Sequence, residues 1–152
     1  MSASVFERLE EHLRQAGVVF TILRHEPVFT SEQAAAVRGT PLASGAKALV
    51  LKAGDRFVLL VLPADRKLDS RKARAALGVK ALRFATKEEV LELTGLQPGA
   101  IPPFGSLFNL PTHCDPAWAT MHRSTSTPAT TPCRCRCPGR TTCGWRSRGW
   151  RR

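Results

Sequence analysis

No stretch of this 152-residue sequence contains the roughly 18 consecutive apolar residues that a membrane-spanning helix needs. The first residues also lack the apolar core of a signal peptide and carry Glu7, Glu10 and Glu11 instead. Neither a G-x-G-x-x-G nor a Walker A loop occurs, and no internal repeat is visible. We therefore expect a cytoplasmic protein, and the length is typical of one domain.

Acidic residues are scarce. The sequence has 12 Asp and Glu and 23 Lys and Arg, which gives a formal net charge of +11. Such an excess favours an anionic partner, with nucleic acid first and an anionic membrane surface second. The excess is uneven: residues 1–112 carry a net charge of +4 and residues 113–152 a net charge of +7.

Residues 113–152 contain no Leu, Ile, Val, Phe or Lys, although all five cysteines and all three tryptophans lie there. A segment without branched aliphatic residues has little from which to build a core, so we expect disorder or weak structure. The abrupt change favours an out-of-frame reading of a GC-rich gene over a native basic arm. The globular domain is accordingly predicted to end at residue 112, or at 118 at most.

The cysteines of this tail follow a C-x-C-x-C-x5-C pattern that begins at Cys133. Structural zinc sites instead use paired C-x2–4-C spacing, and the interleaved arginines oppose the gathering of a dication. The odd count of five also argues against a disulfide framework. We predict no metal and no other cofactor.

Periodicity and capping residues predict short helices over residues 4–16, 31–37, 69–77 and 86–95, each ending within two residues of a glycine. Strands are predicted over 18–23, 46–52, 56–62 and 79–85, with a hairpin turn at 53–55 and a last strand beginning in 107–110. This order predicts a single α/β (α+β) domain whose mixed, largely antiparallel sheet is flanked by helices.

Three segments in order, residues 46–50 (AKALV), 62–69 (LPADRKLD) and 99–105 (GAIPPFG), resemble landmarks of the YbaK/EbsC family. Members of this family, which includes a domain associated with prolyl-tRNA synthetase, hydrolyse misacylated tRNA. The likeness spans about residues 4–112 and implies a YbaK-like fold whose C-terminal part is incomplete here. It implies a catalytic role for Lys47 and places the G-x-x-x-P loop, Gly99 to Pro103, against the aminoacyl end of tRNA.

Lys47 interrupts an apolar strand, and a lysine in that setting needs either a partner or an exit to water. Its ammonium is expected to hold the tRNA 3′ end or orient the ester, since base catalysis would require a strongly lowered pKa. The plain alternative is a surface lysine at a strand edge. We expect Lys47 and the bend near Pro103 to line one cleft.

The loop at 99–105 offers backbone N–H groups that can bind a developing oxyanion or the attacking water. A proline-rich connector without chemistry is the alternative for this loop. Thr30 is a weaker substrate-binding candidate, because helix capping also explains it. The predicted substrate-binding residues are Gly99, Ala100, Ile101, Pro102, Pro103, Gly105 and Thr30.

The resemblance implies a trans-editing deacylase that removes a mischarged small amino acid from tRNA. The expected partners are the 3′ end of aminoacyl-tRNA and an aminoacyl-tRNA synthetase, without a membrane. Two alternatives remain at this stage. One is a nucleic-acid-binding protein without catalysis, and the other is an inactive, truncated member of the family.

Overall fold

The computed structural model describes residues 4–23, 26, 28, 30–115 and 133–134. Most of residues 113–152, for which disorder or weak structure is predicted, lies outside this described part, as do all cysteines after Arg134. No helix among the described residues has both the length and the apolar character needed to cross a bilayer. The helices are α1 (Val5–Gln15), α2 (Ser31–Arg38), α3 (Ser70–Leu77) and α4 (Lys87–Thr94), and the strands are β1 (Thr21–Ile22), β2 (Ala46–Ala53), β3 (Arg56–Pro63), β4 (Leu82–Phe84), β5 (Thr112–Cys114) and β6 (Cys133–Arg134).

The main sheet has four strands in the order β4-β2-β3-β5. β2 and β3 form an antiparallel hairpin in register from Ala46 opposite Pro63 to Ala53 opposite Arg56. β4 pairs antiparallel with β2, whereas β5 pairs parallel with β3. The prediction of a mixed, largely antiparallel sheet flanked by helices is therefore confirmed, and β1 with β6 forms a separate antiparallel pair.

Each face of the main sheet packs against different helices, because side chains alternate along β2 and β3. The α4 face carries Val50, Leu59 and Val61, which pack with Val90 of α4 and with Ile101. The α3 face carries a second apolar set, packed with Leu77 of α3 and with Leu68, Val79 and Leu82. That set consists of Leu49, Leu51, Ala53, Val58, Leu60 and Leu62.

The predicted helices form close to their expected limits, because local hydrogen bonds define their ends. Ser4 with Glu7, Thr30 with Gln33 and Thr86 with Glu89 each make a complete capping box. Asp69 caps α3, and the left-handed Gly78 ends it. Two strands are shorter than predicted, with β1 reduced to Thr21–Ile22 and β4 to Leu82–Phe84.

The prediction of a strand beginning in 107–110 is wrong. A 3-10 helix occupies Gly105–Phe108, and Asn109 ends it in the left-handed region with φ of 55°. The Leu110 N–H donates to Gly105 O at 2.9 Å, so the chain closes a turn here. The strand starts only at Thr112, and it lies across the change in composition at residue 113.

Arg83 of β4 and Glu89 of α4 form a two-pronged ion pair, with both N–O distances at 2.7 Å. The Arg83 hydrogen bonds, followed by that from the Thr86 N–H, lower the pKa of Glu89 to about 2 from its usual 4.5. A lowered folded-state pKa stabilises the fold above pH 4.5, and this contribution is lost as the pH falls towards 2.

The difference in melting temperature between the wild type and Glu89→Gln is therefore expected to shrink on acidification towards about pH 2. Thermal melts at a series of pH values measure this difference. Glu92→Gln, at an exposed glutamate of the same helix, is the control. A Glu89→Gln difference that stays constant over that range would show that the ion pair does not stabilise the fold.

Candidate functional site

Lys47 is the second residue of β2, where it lies directly opposite Leu62 of β3. Its Nζ donates a hydrogen bond to the backbone oxygen of Arg66 at 2.9 Å. The side chain is only partly exposed. An ammonium has three N–H donors, so this contact fixes the cation without exhausting its capacity to bind a ligand. Both the strand register and the turn after β3 therefore position Lys47.

A cavity lies between α2 and the start of β2, and its wall includes Ala46, the residue before Lys47. Its wall includes Arg38, which is 9% exposed, and Ser31. In the sequence, Lys47 directly follows the wall residue Ala46. Arg66, whose backbone oxygen binds Lys47, lies two residues after the wall residue Ala64. Ala46 packs on the α4 face, so strand alternation directs the Lys47 side chain to the α3 face. Five wall residues have small or no side chains: Ala34, Ala35, Gly45, Ala46 and Ala64.

The loop at 99–105 is mostly interior. Pro102 and Pro103 are fully buried, and Ile101 packs in the core of the α4 face. Gly99, with φ of 90°, is exposed and Ala100 is partly exposed. The accessible part of the predicted substrate loop is therefore its beginning.

The expected cleft requires Lys47 and the bend near Pro103 to lie on one face of the sheet. Their packing partners belong to different faces. Lys47 is paired with Leu62, which belongs to the α3 face. Ile101, two residues before Pro103, packs on the α4 face. The structure thus brings Lys47 together with the turn at Arg66, and the role of the loop in binding substrate remains a prediction.

Close packing at position 105 leaves no room for a side chain. A Cβ atom built there would lie 2.2 Å from Thr112 Oγ1 and 2.4 Å from the backbone oxygen of Leu110. Its N–H also donates to Thr112 Oγ1 at 3.1 Å. The glycine therefore lets the 3-10 helix approach the start of β5.

Thr30 is occupied as the N-cap of α2. Its Oγ1 accepts from the Gln33 N–H at 3.1 Å, and its own N–H donates to Gln33 Oε1 at 3.3 Å. Its neighbour Ser31 lines the cavity. The structure therefore gives Thr30 a structural role, and substrate contact by its side chain stays a prediction.

His113 of β5 shares the sheet face of Lys47, which the sequence alone did not reveal. It is paired with Leu60, a residue of the α3 face. The next residue on that side by strand alternation is Asp115, whose N–H donates to Val61 O at 2.8 Å. No signal near residue 113 shows which strand it joins, so the sequence alone could not place it.

Burial lowers the pKa of one side chain of β5, His113, and raises that of the next, Cys114. Desolvation, and then the nearby charge of Arg56, lowers the pKa of His113 below its usual value. The imidazole is therefore neutral at pH 7 and able to accept a hydrogen bond. Burial, and then Asp115, raises the pKa of the Cys114 thiol to about 12, which makes it a poor nucleophile.

Metal ligands do not cluster in the described part of the chain, where no group of three His, Cys, Asp or Glu residues could hold an ion. That the protein uses no metal stays a prediction, since other residues lie outside this part.

Comparisons with known proteins identify relatives of this chain. The Multifunctional Ser/Thr-tRNA deacylase ProXp-y of Escherichia coli K12 is 40% identical over 102 residues, which cover 64% of this chain and 61% of that protein. A proline–tRNA ligase of Thermosipho africanus is 39% identical over 79 residues, covering 52% of this chain and 14% of the ligase. The chain thus spans less than two thirds of either relative.

A solved structure described as a candidate trans-editing enzyme for prolyl tRNA synthetase superposes with a TM-score of 0.74 at 28% identity, covering 90% of this chain and 88% of that one. The model of the aminoacyl-tRNA editing domain family matches residues 25–131. This match covers well over half of the chain and confirms the resemblance that residues 46–50, 62–69 and 99–105 indicated. The chain therefore belongs to the aminoacyl-tRNA editing domain family.

Proposed function

We propose that this protein is a trans-editing deacylase, which hydrolyses the ester joining a mischarged small amino acid to tRNA. The observation that carries the proposal is the Lys47 ammonium held on the Arg66 backbone oxygen, in a strand whose preceding residue, Ala46, lines a cavity walled largely by small residues. The E. coli relative is a Ser/Thr-tRNA deacylase, which supports a small acyl side chain. An aminoacyl-tRNA 3′ end is the proposed substrate, and an aminoacyl-tRNA synthetase is a proposed partner.

The reaction needs a water molecule to attack the ester carbonyl carbon. The bond between this carbon and the ribose oxygen then breaks, and the ribose oxygen takes one proton from the water. The amino acid leaves as a carboxylic acid and loses its proton to solvent. Negative charge develops on the carbonyl oxygen, where a fixed cation or N–H donor lowers the barrier most.

Lys47 is suited to that task because its ammonium is held on Arg66 O and still has donors to offer. We assign it the positioning and electrostatic role rather than that of a base. His113 and Asp115 follow on the same sheet face and are the groups we propose to orient the water. Because His113 is neutral at pH 7, its imidazole can accept the water's hydrogen bond.

The small residues of the cavity wall should set the size of the acyl group. Ala35→Leu, at a partly exposed wall residue of α2, is expected to lower kcat/KM for seryl- and threonyl-tRNA about tenfold. Ala36→Leu, at the exposed next residue outside the wall, is the matched control and should leave both values unchanged. Equal effects of the two substitutions would mean that the cavity does not receive the acyl group.

The direct test is a deacylation assay on the full chain with a panel of mischarged tRNAs carrying alanine, serine, threonine, cysteine or a larger residue. Turnover confined to small acyl groups is expected. Absence of turnover on every substrate, with tRNA binding retained, would overturn the proposal and favour a nucleic-acid-binding protein without catalysis.

A further inference from the structure

Charge is unequally divided between the two faces of the sheet. The segment on the α3 side, residues 65–80, holds six basic residues and two acidic ones. α4, on the opposite face, has one Lys and three Glu, and α1 has two Arg and three Glu. Both of these helices are thus acidic, whereas the α3 side is strongly basic.

The six basic side chains of this segment are all exposed, and we call them the α3 basic surface. Leu77 and Ala73 turn inwards, and Ala73 is fully buried, so the charges occupy the outer sides of the helix. The surface consists of Arg66, Lys67, Arg71, Lys72, Arg74 and Lys80.

Asp69 neutralises little of this charge. Its carboxylate is occupied as the cap of α3, with Oδ1 accepting from the N–H groups of Arg71 and Lys72 at 3.0 Å each. Its ion pair with the Lys72 ammonium is long, at 3.8 Å, and largely exposed. Exposed pairs of this kind contribute little, so most of the positive charge remains available to an outside anion.

The α3 basic surface is continuous with the candidate site. Lys47 Nζ bonds to the backbone of Arg66, which is the first residue of the surface. A polyanion that lies along α3 would therefore reach Lys47 with its end. A tRNA acceptor stem has this form, since a run of backbone phosphates leads to the 3′ end that carries the ester.

We propose that the α3 basic surface binds the phosphate backbone of tRNA and so guides the 3′ end to Lys47. That the bound polyanion is tRNA rests on the proposed function. That the surface binds a chain of phosphates rests on its charge alone. A membrane is the weaker partner, because an interfacial helix presents large apolar side chains and the outer side of α3 offers Ala75 and Ala76 instead. A-form RNA is bound largely through such phosphate contacts.

The test compares two charge-matched double variants of the full chain in binding to uncharged tRNA. Arg71→Gln/Lys72→Gln removes two charges from the α3 basic surface. Arg14→Gln/Lys87→Gln removes two exposed charges from α1 and α4. The pairs are matched further, because Lys72 and Arg14 each take part in one exposed ion pair within four residues.

The α3 variant is expected to weaken tRNA binding about tenfold at low salt and to reduce the slope of log K against log salt by about 2. The Arg14→Gln/Lys87→Gln control should change neither the tRNA affinity nor the salt slope by more than a small fraction. Melting temperatures of both variants verify that the fold is retained.

Equal losses in the two variants, or none in either, would overturn the inference, as would binding to anionic vesicles in preference to tRNA. Uncharged tRNA carries no ester, so this measurement is independent of deacylation. If the deacylase proposal is right as well, the α3 variant should keep its activity on a short aminoacylated oligonucleotide that lacks the stem.

Discussion

Lys47→Ala is expected to lower the single-turnover rate of deacylation about 10²- to 10³-fold while the Kd for tRNA changes by no more than about threefold. This is the loss produced when one donor to a developing oxyanion is removed. The side chain is held by the Arg66 carbonyl rather than by the core, so its truncation should leave the fold intact. Quenched single-turnover assays with threonyl- or seryl-tRNA measure the rate.

The chain offers a matched control on the same strand. Lys52→Ala removes the other lysine of β2, which stacks over the Phe57 ring at 5.5 Å on the opposite face. It should leave the rate unchanged. A Lys47→Ala variant with wild-type turnover, or equal losses in the two variants, would contradict the role given to Lys47. Lys47→Arg then asks whether charge alone suffices, since Arg presents its donors in a different geometry.

Gly105→Ala is expected to lower the free energy of unfolding by about 3 kcal/mol, the cost of forcing extra volume into a packed site. The new Cβ would lie 2.4 Å from a backbone oxygen, Leu110 O, which cannot move aside as a flexible side chain can. Urea titration followed by circular dichroism measures the change.

The same variant separates the two explanations for a glycine in this loop. Ser106→Ala, at the exposed next position, is the control and should unfold like the wild type. If Gly105→Ala kept its stability and lost only deacylation, the glycine would serve substrate binding as the sequence predicted. Loss of stability in Gly105→Ala alone would assign it to packing against Thr112.

Local chemistry explains why most of the fold could be predicted from the sequence. Ser4, Thr30, Asp69 and Thr86 each satisfy the first N–H groups of a helix with a neighbour three or fewer residues away. The hairpin of β2 and β3 depends on a two-residue turn at Gly54 and Asp55, which is also a local feature. Such signals are complete within a few residues of sequence.

The candidate site depended on contacts that sequence spacing does not contain. The pairing of His113 with Leu60 places it on the face of Lys47, but nothing near residue 113 indicates which strand it will join. The burial of Pro102 and Pro103 likewise depends on distant core residues. The 3-10 helix at Gly105–Phe108 was mistaken for the start of a strand, because a short apolar run fits either structure.

The parallel pairing of β5 with β3 affects the order in which the molecule is completed. The hairpin of β2 and β3 can close as soon as its own residues have left the ribosome, because its contacts are close in sequence. β5 cannot join until α3, β4, α4 and the loop have all been synthesised. A nascent chain therefore carries Lys47 in its hairpin before His113 exists, and the two groups come to share one sheet face only late in translation.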